Sequence, residues 1–316
     1  MNKKIPVVSF FCGCGGLDLG LIGGFTYKGS DIKKLPFTIL KAYDNNEKCI
    51  ETYKKNISEH AEVKDLRDFD PAEMPKADLL IGGFPCQDFA TCGPRRGLTS
   101  DRGRLYQAML KYMRCHSPKV VVGENVPGLA NIDDGDILET IKSDLEHEGY
   151  HVKVWTLFAP DYGIPQRRTR LIIVAVRDDI PGFPDEPQRL HSQNNYNTAR
   201  WAIEDLEGVT DNSIPNQGQY FRASKAKKGN GQGDEITPAD APAYTIRANA
   251  KSRVQFHYRL PRRLTVRECA RIQSFPDSFI FPHSATTNIM QIGNAVPPVL
   301  GNLVAQSIHR FMKGLK

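Results

Sequence analysis

Ala77-Asp78-Leu79-Leu80-Ile81-Gly82-Gly83-Phe84-Pro85-Cys86-Gln87 is the stretch from which the chain is best read. Residues 77–81 are a short, mainly apolar run of the kind that forms a buried strand. A strand that ends in Gly-Gly and runs into Pro-Cys presents one thiol at the C-terminal edge of a sheet. In open α/β sheets ligands bind at that edge. Pro85 fixes its own φ and restricts the residue before it, so the approach to the thiol is stiff. Two readings of Cys86 follow: an activated nucleophile or a buried structural cysteine.

Towards the N-terminus, Ile5–Phe11 reads as a first strand. It is followed by Cys12-Gly13-Cys14-Gly15-Gly16-Leu17-Asp18-Leu19-Gly20-Leu21, a glycine turn that opens a helix. Glycine lets the backbone turn tightly and approach a ligand closely. The dinucleotide fingerprint G-x-G-x-x-G would place Gly where Asp18 stands. An acid there repels a pyrophosphate but not a positive centre, so the turn favours a nucleoside cofactor without phosphates over NAD. Residues 37–43 form a second strand that ends at Asp44. Asp44 is placed to accept hydrogen bonds from a ribose or to cap the next helix, a task Asn45 or Asn46 can share. Asp65 follows a short strand around 62–64, either to meet an adenine amino group or simply to turn the chain.

Towards the C-terminus, residues 93–104 form a loop with four arginines and three glycines, including Arg95, Arg96 and Arg102. Such a loop closes over phosphates or is a solvated surface loop. A helix resumes from Leu105. The strand Pro118–Gly123 delivers Glu124-Asn125-Val126 to the same rim as the thiol, where a half-buried acid can donate a proton. Further elements follow: a helix over 137–148, a strand over 152–157, and Gln166-Arg167-Arg168-Thr169-Arg170 before the strand 171–176. Arg168 and Arg170 are two apart and share one side of an extended chain. They suit anion or carbonyl binding, or else salt-bridge a sheet edge. Residues 181–261 are rich in Pro, Gly, Asn and Gln with few apolar runs, and read as a second, irregular module. Within it, residues 223–235 form a basic glycine loop and 243–247 a short strand. Thr265 with Glu268 three residues on is a capping box, and a last helix covers about 299–312.

The bulk numbers fit a globular chain of one large domain, or of a large one with a smaller one. The 316 residues are 40% apolar and 25% charged, ordinary for a globular chain. A net charge of +6 and a pI of 8.8 tilt towards a polyanionic partner. No signal peptide or membrane span is expected. Seven scattered cysteines without paired C-x-x-C motifs argue against zinc and for a cytosolic chain with free thiols.

The ordered set Phe11-x-Gly13-x-Gly15-Gly16, Pro85-Cys86-Gln87, Glu124-Asn125-Val126, Gln166-Arg167-Arg168-x-Arg170, Arg267-Glu268-x-x-Arg271-x-Gln273 and Gly293-Asn294 resembles the DNA (cytosine-5-)-methyltransferase family. The match runs from residue 7 to about 308. The resemblance implies an α/β fold: a Rossmann-like sheet of the S-adenosylmethionine-dependent methyltransferases with a small irregular target recognition domain. The expected division is 1–180 catalytic, 181–261 target recognition, 262–290 a motif-bearing hinge, and 291–316 a helix returning to the catalytic domain. Cys86 is then the nucleophile that adds to C6 of a flipped cytosine, Glu124 meets N3 and the exocyclic amine, Arg170 holds O2, and the positive field of Arg168 and Arg170 helps favour the thiolate. The cofactor would be lined by Phe11, Gly13, Gly15, Leu17, Asp44, Asp65, Leu66, Pro85, Leu105, Asn294 and Ala295. Asn45 departs from the family pattern, in which a large apolar group often packs on adenine. Double-stranded DNA is the expected partner, met by Gln87, Arg95, Arg96, Arg102, Gln232 and Thr245. Gln232 sits in a loop similar to that of bacterial methylases reading a GCGC core. No metal, no membrane, a monomer, a bacterial cytoplasm and functional pairing with a restriction endonuclease complete the reading. A transfer-RNA cytosine-5 methyltransferase and a catalytically inactive DNA-binding homologue are the alternatives.

Overall fold

The computed structural model describes residues 4–84, 103–221, 234–249 and 254–315. Among them, β1 (Ile5–Phe10), β4 (Phe37–Asp44), β5 (Ala61–Val63), β6 (Leu79–Gly82), β7 (Val120–Asn125), β8 (Tyr150–Phe158) and β9 (Thr169–Arg177) form one sheet in the order β5-β4-β1-β6-β7-β9-β8. Neighbours pair in parallel from β5 to β7, whereas β9 runs antiparallel to both β7 and β8. The interior strands are hydrophobic runs, such as Leu79-Leu80-Ile81 and Val120-Val121-Val122, because helices cover both faces.

Alternation along each strand divides the core in two. Val7, Leu79, Ile81, Val120, Val122, Ile172 and Val174 face one cluster, joined by Leu17 and Leu21 of α1 (Gly16–Ile22) and by Leu300, Val304 and Ile308 of the C-terminal helix Pro298–Gly314. Val8, Phe10, Leu80, Val121, Ile173 and Ala175 face the other, joined by Tyr106, Met109 and Met113 of Gly103–His116 and by Ile137, Ile141 and Leu145 of Asp136–His147. The result is a three-layer α/β/α sandwich.

A third cluster takes residues from both sides of the expected boundary at 261. It joins Ala199, Ile203 and Leu206 to Ile246, Leu264, Cys269, Phe275, Phe281 and Ile292. The 181–261 region has few regular elements: helix Ala199–Ile203, a turn of 3₁₀ helix at Glu204–Leu206, and the two-residue strands β10 (Glu235–Ile236) and β11 (Gln255–Phe256). Buried arginines replace the missing ladders. Arg267 donates to the carbonyls of Pro215, Pro276 and Phe279, and Arg271 to Asp205 and Asp277. The Thr265–Glu268 capping box is present, with Arg262 on the same Glu268 carboxylate. Residues 25–32, for which the sequence suggested nothing, make a hairpin of β2 (Phe25–Tyr27) and β3 (Ser30–Ile32). Its Tyr27 donates to the Arg271 carbonyl, and its Lys28 pairs with Asp205.

Among the described residues no helix is long and apolar enough to cross a membrane, and no cluster of His, Cys, Asp and Glu is suited to a metal ion.

Candidate active site

The chain leaves β1 for β4 on one side and continues from β6 to β7 on the other. The C-terminal ends of β1 and β6 therefore flank the point where strand order reverses, the crevice in which open α/β sheets bind ligands. Phe10 pairs with Gly82, and Gly82 with Gly123, so the turn after β1, the segment after β6 and Glu124 on β7 meet at one rim.

On the first side of this crevice the backbone is tightly wound. Phe11 (φ 54°), Gly13 (φ 55°) and Gly15 (φ 91°) all lie in the left-handed region, the conformation an L side chain resists. Asp44 fixes the turn from the end of β4: its carboxylate accepts from the Gly13 N–H at 2.9 Å and from the Asn46 N–H at 2.8 Å. Burial raises the Asp44 pKa, opposed by those two hydrogen bonds. Asn46, not Asp44, caps the next helix by accepting from the Cys49 N–H. A Cβ on Gly13 would meet nothing within 4 Å, whereas one on Gly15 would strike Ile57 and Tyr53. The turn thus has one open side, at Gly13, and one packed side. Leu17 and Leu66 are buried core residues. Asp65 accepts from the Arg67 N–H at 3.0 Å and pairs with its guanidinium, which holds the Asp65 carboxyl below the usual range. Leu105 is half-buried, Asn294 exposed and Ala295 half-buried.

Asp18 corrects the reading of this turn. Its carboxylate does not face a ligand but turns inward, 1% exposed, accepting from Ser9 Oγ at 3.1 Å and Tyr53 Oη at 3.0 Å. Burial pushes its pKa up to about 6, and both hydrogen bonds oppose the rise. The argument that Asp18 repels a pyrophosphate is therefore lost; the acid belongs to the helix–sheet interface.

On the second side, Glu124 and Arg170 form an ion pair of 2.5 Å, with side chains 10% and 9% exposed. Their approach follows from topology. β9 runs antiparallel beside β7, with Asn125 opposite Leu171, so the start of β9 lies at the C-terminal end of β7. The chain leading to Cys86 is drawn to the same place. A Cβ on Gly83 would lie 3.1 Å from Glu124 Oε2, and Asn125 Nδ2 donates to the Phe84 carbonyl at 3.0 Å. Pro85, Cys86, Gln87, Arg95, Arg96, Arg102 and Gln232 lie outside the described residues.

Arg168 has different partners from Arg170. It is 1% exposed and donates to the carbonyls of Ile246 (3.2 Å), Gly293 (2.9 Å) and Ala295 (3.0 Å). Burial, then the charge of Arg170, lowers its pKa, and Glu124 opposes this. Two glutamines to which the sequence reading gave no role complete the arrangement. Gln166 accepts from the Ile246 N–H and donates to Gln273, and Gln273 donates to the Ala295 carbonyl. Their sequence signal was membership of two of the motifs that carry the family resemblance; their pairing 107 residues apart leaves no local trace. The Thr245 hydroxyl donates to the Arg167 carbonyl at 2.5 Å. A separate cavity of about 730 Å³ lies under the β2–β3 hairpin, lined by Tyr27, Lys28, Asp205, Arg271 and Asp277. Its charged groups pair with one another and none of the strand-end residues lines it, so it is not the reaction site.

The family model for C-5 cytosine-specific DNA methylases matches residues 5–310. The chain belongs to that family. Its activity is DNA (cytosine-5-)-methyl transfer. Among curated relatives, the type II methyltransferase M.NgoFVII of Neisseria gonorrhoeae is 32% identical over 94% of this chain and 84% of its own length. M.BspRI of Lysinibacillus sphaericus is 32% identical over 98% and 82%, and M.MthTI of Methanothermobacter thermautotrophicus 31% over 99% of each chain. The fold is similar to that of the S. pombe Dnmt2 methyltransferase, with a TM-score of 0.71 at 18% identity over 99% of this chain and all of that one. The expected Rossmann-like methyltransferase sheet is the one observed.

Proposed function

We propose that this methylase transfers a methyl group from S-adenosylmethionine to C5 of cytosine in double-stranded DNA, as the protective member of a restriction–modification pair. The observation that carries the reading is the buried Glu124–Arg170 pair beside the Gly83–Phe84 segment that leads to Cys86. An acid and a guanidinium suited to one reaction meet there, and the proposed nucleophile is two residues along the chain from Phe84.

The turn on the other side of the crevice fits the cofactor. The open side of Gly13 leaves room for a ligand against bare backbone, and Asp44 beside it offers a carboxylate to ribose hydroxyls. Phe11, Gly13, Gly15, Asp44, Asp65 and the Asn294–Ala295 turn would hold S-adenosylmethionine. Leu17 and Leu66 back that pocket from the core. When bound, the cofactor supplies an electrophilic methyl on a sulfonium centre.

The chain's own residues prepare the base. Cytosine C5 is a poor nucleophile until a thiolate adds at C6. We assign that addition to Cys86: the S–C6 bond forms, and the C5–C6 π pair is left at C5 and delocalised towards N3 and O2. Glu124 faces N3 and the exocyclic amine and gives N3 a proton as charge builds there, taking it back when the thiolate leaves, while Arg170 faces O2 and stabilises the charge as a cation. Once C5 is methylated, its proton leaves to solvent, the ring double bond re-forms and the thiolate departs. The base has to leave the duplex for these contacts, at a cost of a few kcal/mol. Arg95, Arg96, Arg102, Gln87, Gln232 and Thr245 remain the proposed DNA contacts. Thr245 would keep its bond to Arg167 while it does so.

Incubating the protein with methyl-labelled cofactor and, separately, unmethylated DNA and transfer RNA tests the reading. Label on C5 of cytosine in DNA supports it. Label in transfer RNA alone overturns the substrate assignment.

A further inference from the structure

Gly293–Val296 is squeezed between the two halves of the molecule. On one side, a Cβ at Gly293 would lie 2.3 Å from the carbonyl carbon of Arg247, 2.4 Å from the Ala248 nitrogen and 2.6 Å from the Arg247 oxygen. On the other, a Cβ at Gly16 would lie 2.4 Å from the Val296 oxygen and 3.0 Å from Ala295 Cβ. The recognition-side segment 246–248 and the cofactor-side turn thus press on one short segment, mostly backbone against backbone. Close-packed interiors of this kind pass a displacement on and do not absorb it.

Three buried side chains fix that stack. The planar guanidinium of Arg168 reaches Ile246 on one side and Gly293 and Ala295 on the other. Gln166 holds Ile246 from its N–H side and passes to Gln273, which holds Ala295. Gln166 and Gln273 are fully buried and Arg168 nearly so. All the partners on that segment and on the turn are backbone groups, so the contacts set backbone positions and touch neither ligand. An ammonium in place of the guanidinium has no fork to span the three carbonyls.

We propose that Arg168, with Gln166 and Gln273, is a positioning tie that couples the recognition-side segment around Ile246 to the cofactor turn, so that DNA and cofactor strengthen each other's binding. The proposal rests on the functional reading above, in which Thr245, next to Ile246, meets DNA and the Gly13 turn meets the cofactor. It gives Arg168 a task distinct from the cytosine contact assigned to Arg170. By linkage the coupling is reciprocal: DNA tightens the cofactor by the same factor as the cofactor tightens DNA.

The test is calorimetric titration of S-adenosylhomocysteine into wild type, Arg168→Lys and Gln273→Met. Each is run with and without a saturating duplex carrying the methylated site. In wild type we expect the duplex to tighten S-adenosylhomocysteine about fivefold or more, within the usual range of such couplings. In both variants that ratio falls towards one, while the DNA-free affinity stays within about threefold of wild type. A structural role alone would weaken every affinity and leave the ratio intact. A variant ratio equal to that of wild type, or a wild-type ratio of one, overturns the tie. Should Arg168→Lys fail to fold, Gln273→Met decides alone. Wild-type methyl transfer to the unmethylated form of that duplex, measured in parallel, separates failure of the tie from failure of the functional reading.

Discussion

Glu124→Gln removes one charge from the pair at the centre of the site. The carboxylate lies 2.5 Å from Arg170 Nε, and each side chain is about one-tenth exposed. Arginine is effectively always protonated, so the variant takes the Glu124 charge away from a buried guanidinium. Breaking a buried pair on one side costs about 3–5 kcal/mol. Gln keeps an oxygen for Arg170 to reach, which places this variant at the lower end, about 3 kcal/mol. For a chain of this size that is a fall in Tm of roughly 4–5 °C, which leaves the protein folded at 25 °C. Activity falls further. Loss of a positioned acid–base group costs about 10²–10⁴-fold in rate, so single-turnover methyl transfer at saturating DNA and cofactor drops by at least a hundredfold. Glu124→Asp separates the two effects: it restores charge to Arg170 and part of the Tm, but its shorter side chain misses the base and activity stays low. A Glu124→Gln protein with near wild-type single-turnover rate refutes the role given to this residue, whatever its Tm.

Other expectations follow from the same geometry. The fold raises the Asp18 pKa from 3.8 to about 6, so it favours the protonated acid. Ionisation therefore costs stability, and the cost grows from about pH 4 to 6 and is complete above 6. Two units correspond to about 3 kcal/mol. In urea denaturation, the stability of wild type relative to Asp18→Asn should fall by up to that amount between pH 4 and pH 7; a pH-independent difference would show that Asp18 is not the titrating group. Gly293→Ala drives a methyl into the Arg247–Ala248 backbone at 2.3–2.4 Å. It should cost at least about 1–3 kcal/mol by overpacking and weaken DNA binding more than thermal stability alone explains. Unchanged DNA affinity in a destabilised variant would count against that contact's role.

The sheet was legible because its strands are buried on both faces and so read as unbroken apolar runs, as Val120–Val122 and Leu171–Val176 do. The capping box was legible because both its partners lie within four residues. Glu124 was placed at the rim because a strand's end is visible in the sequence. What a side chain faces across the fold was not. Asp18 sits in a glycine turn that looks solvent-facing, yet one helical step turns it onto Ser9 and Tyr53. Arg168 and Arg170 look equivalent two residues apart, yet one takes carbonyls 78 to 127 residues away and the other takes Glu124. The pairing of β9 with β7 that brings Arg170 to Glu124 is antiparallel, a reversal that no local pattern announces. The irregular 181–261 stretch showed little because arginine–carbonyl contacts, not periodic apolar faces, hold it.

The central claim is cytosine-5 methylation of DNA with Cys86 as nucleophile. Bisulfite sequencing of DNA from cells expressing the wild-type chain or Cys86→Ser tests it most directly. The account predicts cytosines resistant to conversion within one short sequence context in the wild-type sample, and none above background with Cys86→Ser present at equal level. No context-specific resistance with the folded wild-type protein, or full resistance with Cys86→Ser, would contradict it.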